Sequence, residues 1–364
     1  MDGGQAAWTD ISNNRVPDSP FETRSMPRRP FALSLILVPL LGWAGLPAAA
    51  QDRAPASPSG GDKGALSLLF ENDIFYDADR DYTNGVGIAY TTAPADTPRW
   101  AIDAAHALPF FTKGGEVRTR FALGQEMFTP PDITLPNPPL TDRPYAGFLY
   151  ASIGVAADSG VHLDQLQLTL GMIGPASLAD RTQAFVHGIV GSRTPKGWAT
   201  QLRNEPALVI NYERAWKVVP PQSLLGGVFD IEPHYGVALG NVYDYVNIGA
   251  MARFGFNLPK DYGPMRIQPS LPGSDYFEPT ADLGAYVFAG VDGRAVGRNL
   301  FLDGNSFVAS RSVSRMNLVG DVTLGAALTF RAFRLAFSHV IRSREYKTQS
   351  DDSNFGAVNL SVRF

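Results

Sequence analysis

The sequence predicts an all-β chain that closes into a transmembrane antiparallel β-barrel of about twelve strands with a short loop helix. Three observations carry this reading. Apolar and polar residues alternate with period two over most of residues 64–364, several alternating segments run to about ten residues or more, and the chain ends on an aromatic, Phe364. Alternation places successive side chains on opposite faces of a strand, and about ten residues is what a tilted strand needs to cross a bilayer. Closure satisfies every backbone group without a separate core.

At the N-terminus, Met26, Arg28 and Arg29 precede the apolar run Phe31 to Gly45, and Ala48-Ala49-Ala50 precedes Gln51. A basic start, an apolar middle and a small-residue cleavage site read as a secretory signal peptide over 26–50. Residues 1–25 then read as an over-called start or disordered leader, and 51–63, rich in Pro, Ser, Gly and Asp, as a flexible lead-in. The barrel domain is expected over 64–364.

Strands are expected at 65–72, 83–92, 117–126, 146–157, 162–173, 205–216, 228–239, 247–256, 282–292, 317–329, 332–342 and 354–363. The clearest alternation sets Asn317, Asp321, Thr323 and Thr329 against Leu318, Val322, Leu324, Leu328 and Phe330. Asn359, Ser361 and Arg363 against Val358, Leu360, Val362 and Phe364 repeat it, as do Gln165, Gln167 and Thr169 against Leu166, Leu168 and Leu170. Two long connections interrupt the pattern. Residues 129–143 are proline rich and exclude a regular element, whereas 177–190 predicts a helix with Leu178, Phe185, Val186, Ile189 and Val190 along one side after Gly174-Pro175.

Composition narrows the chemistry. Among 364 residues there is no cysteine, which removes disulfides, thiolate nucleophiles and zinc-cysteine sites. A net charge of −4 without a basic run in the mature part argues against nucleic acid as partner. No P-loop, HExxH or GxSxG pattern is present. Glu71-Asn72-Asp73 closes the first strand and Asp79 to Gly85 opens the second, so one hairpin gathers oxygen donors of the kind calcium takes; turns also favour these residues for themselves. His187, on the expected loop helix, is the histidine placed to act as a base near neutral pH, against the alternative of a surface or packing histidine. Arg143, in Asp142-Arg143-Pro144-Tyr145, offers a guanidinium to a phosphate, or marks an interfacial turn. Gln201, Asn204 and Glu205 follow in a Trp198-anchored loop and could orient a base or meet a head group.

Taken jointly and in order, Glu71-Asn72-Asp73, Asp81-Tyr82-Thr83-Asn84-Gly85, Gly124 through Pro130, Asp142 through Tyr145, Gly174-Pro175, and Gln183 through His187 to Gly191 resemble the outer-membrane lipid A 3-O-deacylases, the LpxR-type family. The resemblance implies a twelve-stranded barrel in the bacterial outer membrane, with the active site between the barrel wall and a loop helix. It implies calcium-dependent removal of the 3′-linked acyloxyacyl chain of lipid A, the lipid anchor of lipopolysaccharide. By match to the family motifs, His187 stands where the catalytic histidine stands, Asn72 and Asp73 at the Asn-Asp pair that serves the metal, and Thr83 at the active-site threonine. Arg143 and Tyr145 fall beside the substrate. One position departs: Arg193 occupies the place of an acidic residue after the histidine, which leaves Glu205 or Gln201 as alternative supports. A non-catalytic barrel, either pore or structural, and a serine phospholipase using Ser192 remain the competing readings.

Overall fold

The computed structural model describes Met1 and residues 63–73, 81–267, 269 and 273–364. The expected leader, signal peptide and most of the lead-in therefore lie outside the described residues, as do residues 74–80 of the first hairpin.

Among the described residues thirteen antiparallel strands form one sheet: β1 (Ala65–Asn72), β2 (Asp81–Thr91), β3 (Glu116–Thr129), β4 (Ala146–Asp158), β5 (His162–Ile173), β6 (Glu205–Trp216), β7 (Val219–Leu224), β8 (Gly227–Gly240), β9 (Tyr243–Phe256), β10 (Leu283–Asn299), β11 (Leu318–Phe330), β12 (Phe333–Arg342) and β13 (Ser353–Arg363). β1 pairs with both β2 and β13, and β6 pairs with β8, so twelve strands close a ring while the short β7 pairs only with β8. Helices α1 (Arg99–Ala107), α2 (Ala179–Val190) and α3 (Leu300–Asp303) lie in the connections.

Every expected strand is present, three of them with the expected limits. The largest correction is β10, which continues to Asn299 because Arg294 to Asn299 pair with Asn247 to Tyr243 on β9. β7 and α1 were not anticipated from the sequence.

The barrel is polar inside and apolar outside. Along β11, Asp321, Thr323 and Thr329 are buried while Leu318, Val322, Leu324, Leu328 and Phe330 are exposed. For a soluble protein that distribution would waste the apolar area, since burial is where it stabilises; in a bilayer the lipid tails receive it. The lumen is held by charge networks: Arg294 and Arg342 each donate two hydrogen bonds to the Asp321 carboxylate between them, and Asp292 takes His234 Nε2 at 2.9 Å.

At the end where β1 begins and β13 ends the connections include the tight 331–332 turn, and at the other end run the long 130–145, 174–204 and 300–317 segments. Long loops face outward in outer-membrane barrels and short turns face the periplasm, which sets the orientation. Two long connections lie at the periplasmic end instead: residues 92–115, which carry α1, and 257–282, whose described residues turn back into the lumen. Arg266 and the Ile267 amide reach Glu71 on β1, Met265 O accepts from Asn359 on β13, and Asp261 lies between Arg253 and Arg334. Above this plug, α3 caps the lumen with Phe301, stacked on Phe128 at 4.1 Å and packed with Tyr82, Tyr243 and Phe355.

Candidate functional site at the outer rim

The predicted residues fall mainly on the outer face of the wall, at the extracellular end of β1–β4. Glu71 points into the lumen, so by alternation its neighbour Asn72 points outward. Asn72 lies opposite Asn84 on β2, Asn84 opposite Met127 on β3, and Met127 opposite Gly147 on β4, which makes one row across four strands. Asn72, Asp73 and Asn84 are buried, and Asn84 Oδ1 has no hydrogen-bond partner among the described residues.

Thr83 owes its position to a β-bulge. Tyr82 pairs with Phe128 and Asn84 with Met127, leaving Thr83 as the extra residue. A bulge re-aims one side chain out of the alternation; here it brings Thr83 Oγ1 to 2.6 Å from Thr129 Oγ1 in a buried pair.

The other end of the row seats α2. At Gly147 an added Cβ would lie 2.1 Å from Ser177 Oγ and 2.3 Å from Ala179 Cβ, so the helix start rests directly on this glycine. Gln125 Nε2 donates to Ser177 O at 2.6 Å. Met127, Ile133, Tyr145, Ala179 and Trp198 form one buried cluster beneath the helix, and Trp198 Nε1 donates to Gln183 Oε1 at 2.6 Å. The single 3-10 turn before α2 packs on β4 and β5, and α2 itself packs on β4 and β3. The helix therefore crosses the wall in the direction of β2. Its packed side is Ala179 and Gln183 rather than the apolar stripe, since Leu178, Phe185 and Ile189 are exposed.

His187 is half-buried on α2, and its Nδ1 lies 2.6 Å from the Arg193 carbonyl oxygen. A carbonyl only accepts, so Nδ1 carries the proton and Nε2 keeps its lone pair in the neutral ring. The Arg193 backbone thus supplies the support that the sequence left unassigned. Glu205 is occupied elsewhere, accepting from Asn241, Asn305 and the Ser306 amide. Ser192 meets His187 through the backbone, its amide donating to His187 O at 3.1 Å.

The loops on either side of this histidine are tied together: Lys196 N donates to Ile133 O, and Leu202 N to Tyr145 O. Beside them, the Thr134 hydroxyl and amide, with the Arg193 guanidinium, hold the half-buried Asp132 carboxyl below the usual carboxylate range.

Two residues expected at the substrate are placed differently. Tyr145 is fully buried, its ring 5.0 Å from Trp198 and its hydroxyl donating to Ile133 O, so it supports the wall rather than presenting a surface. Arg143 is likewise buried, over the Phe128 ring at 4.8 Å and against Glu345 at 3.2 Å. Asn84, Gln125 and Gly147 were not singled out in advance. Asn84 stood within a recognisable motif, whereas nothing local marks Gly147 as a helix seat.

Among the described residues no group of three or more His, Asp or Glu side chains is arranged to hold a metal. The oxygen donors of Asn72 and Asp73, with the orphaned amide oxygen of Asn84, still fit a hard cation that completes its shell with water or backbone oxygens.

Comparison with known proteins agrees with this architecture. The model of the family described as outer membrane protein LpxR matches residues 33–364. Among solved structures, LpxR from Salmonella typhimurium superposes with a TM-score of 0.66 at 20% identity, over 82% of this chain and 100% of that chain. The β domain of the Bordetella autotransporter BrkA reaches a TM-score of 0.40 at 8% identity, over 82% of this chain and 98% of that chain. A search of curated proteins returned no match. Spanning the whole described barrel, the family match shows that the chain belongs to the LpxR family of outer membrane proteins.

Proposed function

We propose that the protein is a calcium-dependent lipid A 3-O-deacylase, a hydrolase that removes the 3′-linked acyloxyacyl chain of lipid A at the outer rim of the barrel. The observation that carries this reading is the outer-face row that begins at Asn72 and Asn84 and ends beneath the helix bearing His187. His187 follows Ala179 by eight residues, about 12 Å of helix. Three strand spacings separate Gly147 on β4 from Asn72 on β1, about 14 Å. On this reading a helix crossing toward β2 brings His187 toward the oxygen-rich end of the row.

In this reading Nε2 of His187 takes a proton from water while the Arg193 carbonyl holds Nδ1–H and steadies the imidazolium that forms. The hydroxide oxygen bonds to the ester carbonyl carbon, the bond from that carbon to the sugar oxygen breaks, and the proton on Nε2 passes to the departing sugar oxygen, which leaves as a hydroxyl. Asp73 and Asn72 are the residues that would hold calcium, with Asn84 Oδ1 as a further donor. When bound, the ion supplies positive charge for the developing oxyanion. Thr83, fixed against Thr129, positions the water or the substrate carbonyl.

Mass spectrometry of lipid A from cells expressing the wild-type chain beside His187→Ala tests the assignment. Wild-type cells are expected to show lipid A lacking one acyloxyacyl mass. The variant, folded in the membrane, is expected to lose about 10²- to 10⁴-fold in rate. Unmodified lipid A from both strains rejects the hydrolase.

A further inference from the structure

Two helices hug the outside of the same wall at opposite ends. α1 packs at the periplasmic end, where Ala101 and Ala105 lie against Val117 on β3 and Val155 and Ala157 on β4. α2 packs at the extracellular end over Met127 on β3. Val117 and Met127 are ten residues apart on one strand. At about 3.3 Å per residue and a tilt of about 40°, they differ in height by about 25 Å, which is the height of the apolar band on an outer-membrane barrel. The strand residues between the helices agree, since Phe121 and Leu123 on β3 and Leu149 on β4 are exposed apolar side chains of that band. Each helix therefore lies at one edge of the hydrocarbon layer.

α2 turns an apolar stripe away from the wall. Leu178, Phe185 and Ile189, spaced seven and four apart, share one side and are 45%, 69% and 69% exposed. α1 likewise leaves Trp100 exposed at the periplasmic edge, where indole rings settle in membrane interfaces. A stripe of this size facing water would be costly, and α2 packs on the same two strands, β3 and β4, that expose Phe121, Leu123 and Leu149. We propose that the Leu178, Phe185 and Ile189 stripe of α2 is an interfacial membrane anchor, inserted among the acyl chains of the outer leaflet.

Insertion fixes the depth of α2 from below while Gly147 and Trp198 fix it from the wall side, so His187 is held at the boundary between head groups and chains. The anchor does not depend on the deacylase chemistry, and its test reads depth rather than turnover.

Because the chain has no cysteine, single cysteines can carry nitroxide spin labels at Phe185→Cys, Ile189→Cys and, on the flank away from the stripe, Ala184→Cys. The full-length variants are reconstituted in phosphatidylcholine vesicles, with heat-modifiable gel migration confirming a folded barrel. The ratio of accessibility to oxygen over a water-soluble nickel chelate is expected to be several-fold higher at 185 and 189 than at 184. Equal ratios at all three positions overturn the proposal by placing the stripe in water. Protection of 185 and 189 from both relaxants, or dipolar broadening between labels, also overturns it by assigning the stripe to a second copy of the chain.

Discussion

At the scale of single residues, the site separates into groups that have chemistry to offer and groups that hold them. His187 keeps Nε2 available because its other nitrogen is committed to a backbone carbonyl. This support was not legible in the sequence, where residue 193 reads as arginine and only a side chain could be judged; a carbonyl is supplied by every residue and leaves no mark. Tyr145 is the converse case. Its motif placed it beside the substrate, yet its hydroxyl and ring are both used within the wall. Tyr145→Phe removes one buried hydrogen bond and should cost about 1 kcal/mol of stability in denaturant unfolding. The KM for lipid A should stay unchanged, whereas a tyrosine in contact with substrate would raise it.

At the scale of elements, the strands were legible because period-two alternation is a property of each strand alone, and it survives the inversion that sets apolar residues toward lipid. α1 was missed because nine residues between two strands give too few turns for a helical period to stand out. α2 was found, but the sequence did not show which of its sides meets the wall: the wall it covers is polar and small, with Gly147 and Gln125 meeting Ser177 and Ala179. That close seat makes a sharp prediction. Gly147→Ala forces a methyl into Ser177 and Ala179, so the helix must lift while the ring of strands, whose hydrogen bonds do not involve the added atom, stays closed. A displacement of about 1 Å at a reacting group costs about 10²-fold in rate. Heat-modifiable migration should therefore be retained while deacylation falls by about that factor; full activity would show that α2 does not need this seat.

At the scale of the whole molecule, the barrel is a scaffold whose lumen is filled from both ends. The described residues of the 257–282 plug reach Glu71, Arg253, Arg334 and Asn359 inside the lumen, and the Phe301 cluster packs above them. The plug escaped the sequence because it has no period of its own; its partners come from strands scattered along the chain. A filled lumen bears directly on the pore alternative. In planar bilayers the purified protein should carry no ionic current above background, and discrete channel steps would show that the plug opens. The proposed chemistry lies at the outer rim, where the described oxygen donors and the seat of the helix share one row of the wall. The most direct test of that assignment uses purified protein and lipid A, followed by mass spectrometry of the lipid. Wild-type protein with calcium should release the acyloxyacyl acid, and both a calcium chelator and Asp73→Asn should abolish release. Turnover that persists undiminished under chelation and in Asp73→Asn would contradict a calcium-assisted histidine at this rim.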